Sequence, residues 1–272
     1  MKKQFFIIIL INLVLLQKVF AQNLTNELVK DETLVVDSDS FYNSNNIKKL
    51  QRSQYKNDFY QLVNFYQPQI NPLYCAIASA VMVINSLNYL NIENQIENQT
   101  VKPNGEVIEY KILSQQTFLN DKTDKIKHRD IINFKKPTAR IKDKKSWQDI
   151  YDPGLTLSQL LSIIQEVYNL NATITFVSDF NHHNDFRQKL IKVLSDDNSF
   201  LIANFDGKIL NKTTNGHVAP IVAFNKESDE VLILDPALHK NKWFWVKVEN
   251  LVKAMNTKDN NSYRGYLIIS KK

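Results

Sequence analysis

Apolar positions recur at helical spacing through the middle of the chain and at strand spacing toward its C-terminus. Ile77, Ala80, Val81, Ile84 and Leu87 fall on one helical face and predict a helix over 73–87. Asn71-Pro72 just before it is a helix-start signal, because proline is tolerated in a first turn. Leu157, Leu160, Leu161, Ile164 and Val167 predict a second helix over 155–170, and residues 185–194 a third. Short apolar runs follow at 200–205, 218–224, 231–234, 243–248 and 266–270, separated by polar turns. They predict strands, with residues 225–230 as a hairpin-like connection. Helices first and antiparallel strands later give an α+β chain.

The remaining stretches are polar. Residues 22–58 read as a lead-in with little core, and 91–109 as loop or poor helix. Residues 122–145 read as an inserted basic segment in a solvated loop. The N-terminus has a different character. Lys2 and Lys3 precede an apolar run from Phe5 to Leu16, and Val19-Phe20-Ala21 offers a small-residue cleavage site. The run is shorter than the roughly 20 residues of a spanning helix. The expectation is a cleaved signal peptide at 1–21, secretion or delivery to a periplasm, and no stable membrane insertion afterwards. The boundaries expected are a signal at 1–21, a lead-in at 22–58 and a folded domain at 59–272.

Composition narrows the partners. The formal net charge is +6, and removal of Lys2, Lys3 and Lys18 with the signal lowers it to +3. That balance, without interleaved aromatic and basic residues, predicts no nucleic-acid partner. A single cysteine matters more. Exported proteins use cysteines in pairs, so a lone one is a buried inert residue, an intermolecular bridge or a reactive thiol. It also excludes thiolate zinc sites built from several cysteines.

That cysteine, Cys75, falls at the beginning of the first predicted helix. A helix N-terminus presents free N–H groups and a partial positive charge, which favour a thiolate. His217 falls at the start of one predicted strand, and Asp235 at the end of the next. Antiparallel pairing brings those ends together, so Asp235 is placed to orient the imidazole while its other nitrogen accepts the thiol proton. The competing readings are a capping histidine and a turn-forming Asp before Pro236. Gln69, six residues before Cys75, is a candidate oxyanion donor alongside the Cys75 N–H, with Gln67 as competitor. A metal site from His182, His183 and His239 is weighed and set aside, because consecutive histidines rarely both face one ion.

Several blocks resemble the phytochelatin synthase family (glutathione gamma-glutamylcysteinyltransferases). They are Gln69-Ile-Asn-Pro-Leu-Tyr-Cys75-Ala-Ile-Ala-Ser79 with Val83-Ile84-Asn85-Ser86-Leu87, then Gly154-Leu-Thr-Leu157, then Asn204-Phe205 through Gly216-His217-Val-Ala-Pro220 to Leu232-Ile-Leu-Asp235. Lys253-Ala-Met-Asn-Thr257 and Tyr263-Arg264-Gly265-Tyr266 complete the series in the family's order. The chain is similar to short bacterial-type members that carry the catalytic domain alone. Three departures stand out. Ala219 replaces a usual Ser, Asp206 and Gly207 stand where an Arg is usual after Asn204, and Leu238 and His239 where an Arg follows the acid.

The resemblance implies a papain-like cysteine protease fold, with Cys75, His217 and Asp235 as the triad and Gln69 at the oxyanion. It implies attack on the Cys–Gly amide of glutathione, then hydrolysis or transfer to a second glutathione. Arg264 is the remaining basic candidate for holding substrate. No cofactor is expected, and heavy-metal ions such as cadmium would act through the metal–thiolate form of the substrate, in metal detoxification. The missing arginines leave open a peptidase acting on another peptide or γ-glutamyl compound. A non-catalytic secreted binding domain is the third reading.

Overall fold

A computed structural model describes residues 40–87, 97–101, 108–129, 154–178, 183–259 and 262–272. The expected signal peptide, residues 22–39 of the lead-in and residues 130–145 of the basic segment lie outside the described residues. The helices are α1 (Ser44–Arg52), α2 (Asn57–Val63), α3 (Cys75–Ser86), α4 (Gln115–Phe118), α5 (Leu157–Ser162), α6 (His183–Val193) and α7 (Val248–Met255). The strands are β1 (Glu97–Val101), β2 (Ile108–Ile112), β3 (Asn171–Phe176), β4 (Ser199–Asp206), β5 (Gly216–Asn225), β6 (Glu230–Ile233), β7 (Phe244–Lys247), β8 (Lys258–Asp259), β9 (Ser262–Tyr263) and β10 (Gly265–Ser270).

The central sheet has the order β3-β10-β4-β5-β6-β7, and every neighbouring pair is antiparallel. Both faces are covered. On one face α3, with Ile77, Val81 and Ile84, packs with Leu62, Leu160, Val218, Val222 and Leu267. On the other, Phe186 and Leu190 of α6 and Leu251 and Met255 of α7 pack with Leu201, Ala203, Phe205 and Ile221. Double coverage explains why β4 and β5 read as almost unbroken apolar runs, since neither face meets water. The α+β class expected from the alternation of periods is the class observed.

Local differences have physical reasons. Helix α3 begins at Cys75, not Leu73. The Asn71 side chain captures the Leu73 N–H at 3.0 Å and its carbonyl accepts from the Tyr74 N–H at 2.9 Å, so residues 71–74 form a turn. Residues 97–101 and 108–112 pair as antiparallel strands, although residues 91–109 were expected to be loop or poor helix. Residues 40–58 are not featureless: α1 forms there, Leu50 joins the core, and Tyr55 bridges Phe224. The start of the basic segment is likewise folded, with Thr123 buried and the buried Lys127 donating to the Gly154 carbonyl. Strand β3 and helix α7 were not anticipated; α7 carries its apolar residues at Val248, Leu251, Val252 and Met255, a helical spacing that follows directly on β7.

Candidate active site

The site forms where α3 meets the ends of β5 and β6. Cys75 is the first residue of α3 and is partly exposed. Tyr74 at the N-cap offers no side-chain oxygen to the first turn, so the helix amide end is not capped by its own residue. The Ser79 hydroxyl donates to the Cys75 carbonyl at 2.7 Å and lies 3.2 Å from the Val218 carbonyl. It fastens the first turn of α3 against the strand residue that follows His217.

His217 is the second residue of β5, and Asp235 lies just beyond β6, its antiparallel neighbour. The His217 Nε2 is 2.7 Å from Asp235 Oδ1, and both side chains are buried. Nε2 is thereby engaged, and the Cys75 side chain is the imidazole's other hydrogen-bond partner. Burial alone favours a neutral ring. The Asp235 charge and hydrogen bond, with the Cys75 side chain, outweigh it, and the His217 pKa is raised. Burial likewise opposes the Asp235 carboxylate. The His217 charge, and hydrogen bonds from His217, the Ala237 N–H and Asn241, hold its pKa below the usual carboxylate value.

Asp235 is fixed on every side. Its Oδ1 also accepts from the Ala237 N–H at 2.7 Å, and its Oδ2 from Asn241 Nδ2 at 3.0 Å. The Asn241 Oδ1 accepts in turn from the Thr213 hydroxyl at 3.2 Å. The Tyr66 hydroxyl donates to the Asp235 carbonyl at 2.9 Å. Burial pushes the Tyr66 pKa up to about 12, so the hydroxyl keeps its proton. Nothing in the sequence singled out Asn241 or Tyr66. Their value comes from long-range contacts that no periodicity records.

Gln69 lies in the loop before α3, almost buried, with its backbone N–H donating to the Pro236 carbonyl at 2.9 Å. Its Nε2 donates to the Asn71 carbonyl at 2.9 Å, which leaves a second N–H on the same nitrogen. Its Oε1 is buried without a partner among the described residues.

Arg264 follows β9, and its buried guanidinium reaches Asn204 Oδ1 at 3.0 Å, Thr257 Oγ1 at 3.1 Å and Asp259 Oδ2 at 3.2 Å. A Cβ at Gly216 would come within 2.7 Å of Arg264 Nη1, so a larger residue there would push the guanidinium away from the residue preceding His217. Sequence spacing did not reveal Asp259 or Asn204 as its partners. His239 is exposed in the loop after Asp235, and His182 lies outside the described residues. Among the described residues no group of three or more His, Cys, Asp or Glu is placed to hold a metal ion.

A buried His–Asp pair with a cysteine at a helix N-terminus beside it is an arrangement suited to acyl transfer. A profile of the phytochelatin synthase family matches residues 29–266. The chain belongs to the phytochelatin synthase family. Similar curated proteins include glutathione gamma-glutamylcysteinyltransferase 3 of Lotus japonicus, 28% identical over 215 residues, which are 78% of this chain and 37% of that protein. Glutathione gamma-glutamylcysteinyltransferase 2 of Arabidopsis thaliana is 25% identical over 216 residues, 78% of this chain and 40% of the other. The Schizosaccharomyces pombe enzyme is 28% identical over 127 residues, 46% of this chain and 30% of the other. The chain thus spans about two-fifths of the length of the first two relatives.

Proposed function

We propose that this protein is a cysteine-nucleophile acyl-transfer enzyme that cleaves the Cys–Gly amide of glutathione, on a papain-like fold, after export from the cell. The observation that carries the reading is the buried His217–Asp235 pair with Cys75 on the other side of the imidazole. Family membership supports glutathione as the substrate class.

The Cys75 thiolate attacks the carbonyl carbon of the Cys–Gly amide, and the carbonyl electron pair moves onto oxygen. The oxyanion is held by the free N–H of Gln69 Nε2 and by the Cys75 N–H. His217, protonated and oriented by Asp235, gives its proton to the glycine nitrogen as the C–N bond breaks. Glycine leaves, and a γ-Glu-Cys thioester remains on Cys75. His217, now neutral, accepts a proton from water or from the amine of a second glutathione as either attacks the thioester. Collapse returns the thiolate and releases γ-Glu-Cys or its longer polymer. Arg264, the basic candidate for a substrate carboxylate, lies beside Gly216 with its charge already paired to Asp259, so a substrate carboxylate would share it with that residue.

A peptidase acting on a different γ-glutamyl compound is the second reading. It is favoured by Leu238 and by Asp206-Gly207, which stand where the family usually has basic residues. Incubation with glutathione, followed by mass spectrometry for glycine, γ-Glu-Cys and longer products, tests the proposal. Release of glycine that is lost in Cys75→Ala supports it. No glycine from the wild-type protein, with cleavage of another γ-glutamyl peptide, replaces it with the second reading.

A further inference from the structure

The loop that carries Gln69 is held by a side chain far away in sequence. Gln115, the first residue of α4, is fully buried, and both ends of its amide are used. Its Nε2 donates to the Pro68 carbonyl at 3.0 Å, and its Oε1 accepts from the Ile70 N–H at 3.1 Å. One amide therefore grips the residues immediately before and after Gln69, as a neighbouring strand would. The Gln69 N–H is taken by Pro236, next to Asp235, so the backbone around Gln69 is fixed from two directions.

Gln115 is itself anchored to the nucleophile helix. Asn85 of α3 donates from Nδ2 to the Leu113 carbonyl and accepts at Oδ1 from the Leu113 N–H, both at 2.9 Å. A capping box between Ser114 and Thr117 then sets the start of α4. Two buried amides in series thus join the helix that carries Cys75 to the loop that carries Gln69. The unpartnered Gln69 Oε1 fits this arrangement: a buried acceptor without a donor is unfavourable, and an outside restraint is needed to keep it there.

We propose that Gln115 is a positioning residue that sets the distance between the Gln69 amide and the acyl carbon on Cys75. The proposal deepens the acyl-transfer reading above and rests on it. An error on the scale of one ångström in placing such a donor costs roughly a hundredfold in rate. The chain needs a second amide because loop residues 64–71 contain no regular structure of their own.

The test uses the full chain and two substrates, glutathione and p-nitrophenyl acetate, whose burst of p-nitrophenolate reports acylation of Cys75 without needing the glutathione site. Gln115→Met fills the same space without either hydrogen bond. The expected result is a fall in acylation rate of roughly tenfold to a hundredfold. KM for glutathione and the rate of iodoacetamide alkylation, which forms no oxyanion, should stay within about twofold of wild type. Gln69→Ala and the double variant Gln69→Ala/Gln115→Met should be equally slow, because positioning is worthless once the positioned group is gone. Full acylation in a folded Gln115→Met, or a double variant slowed by the product of the single losses, overturns the proposal.

Gln115→Glu keeps the decision open if the methionine variant does not fold. The introduced carboxyl can donate to Pro68 only when protonated, so activity relative to wild type should recover as pH falls. A flat ratio across pH would count against the clamp. If the wild-type protein acylates with p-nitrophenyl acetate but releases no glycine from glutathione, the glutathione reading fails while the comparison of Gln115 variants still stands.

Discussion

His217 Nε2 and Asp235 Oδ1 lie 2.7 Å apart, with the imidazole 3% exposed and the carboxylate not exposed at all. Asp235 accepts two further hydrogen bonds, from the Ala237 N–H and Asn241, so it is an orienting anion with no freedom to leave the ring. The ring in turn has one direction left, toward Cys75.

This geometry ranks the triad. Cys75→Ala and Cys75→Ser should abolish glycine release, since each removes the thiolate. His217→Ala should cost more than Asp235→Asn, because the imidazole moves the proton while the carboxylate only orients and stabilises it. Steady-state rates of glycine release for the variants give the order. Equal or reversed losses for His217→Ala and Asp235→Asn would show that Asp235 has another role.

Iodoacetamide should alkylate Cys75 more slowly in His217→Ala than in the wild-type protein, by roughly tenfold or more at the same pH, because the imidazole that partners the thiol is gone. Equal alkylation rates in the two proteins would rule out the pairing.

The pair also sets a pH window for stability. The His217 pKa is raised above 6.5, so its contribution is complete below that value and is lost as pH rises through the folded value. The Asp235 pKa is lowered below 3.8, so its contribution is present above 3.8 and lost as pH falls through the folded value. The neutral replacement His217→Gln/Asp235→Asn should therefore be less stable than wild type mainly between those limits. Thermal melts from about pH 3 to pH 10 measure the difference, which should narrow at both ends; a difference independent of pH contradicts the assignment.

Asp58 behaves in the opposite sense. Burial, with the charges of Asp197 and Asp196, pushes its pKa up to about 8, and its Oδ2 has no partner among the described residues. Its ionisation penalises the fold increasingly as pH rises from 3.8 toward 8. Asp58→Asn should gain stability relative to wild type across that interval and keep the gain above it. Melts at about pH 5 and pH 8.5 suffice, and an equal Tm difference at the two values would place the ionisation elsewhere.

Hydrolysis should exceed transfer when glutathione is the only substrate. Leu238 and Asp206-Gly207 supply no guanidinium to clamp the carboxylates of an acceptor, and an acceptor held weakly competes poorly with water. A time course by mass spectrometry at millimolar glutathione, with and without cadmium, should give γ-Glu-Cys and glycine in near-equal amounts. Dominance of the γ-Glu-Cys dimer from the earliest points would mean that other residues hold the acceptor.

By itself the sequence determined the elements whose apolar period is long and regular: α3, α6 and the strands from β4 to β7, with β10. It also placed Cys75, His217 and Asp235 at element ends, because each lies where the apolar periodicity stops. Tertiary structure decided what period cannot encode. The paired strands β1 and β2 are polar, and β3 is an edge strand with alternating exposure, so neither carries an apolar run. Asn241, Tyr66, Asp259 and Gln115 are ordinary polar residues in sequence. They matter because folding removes water from them, and a buried polar group must find its partner in whatever segment the packing brings beside it.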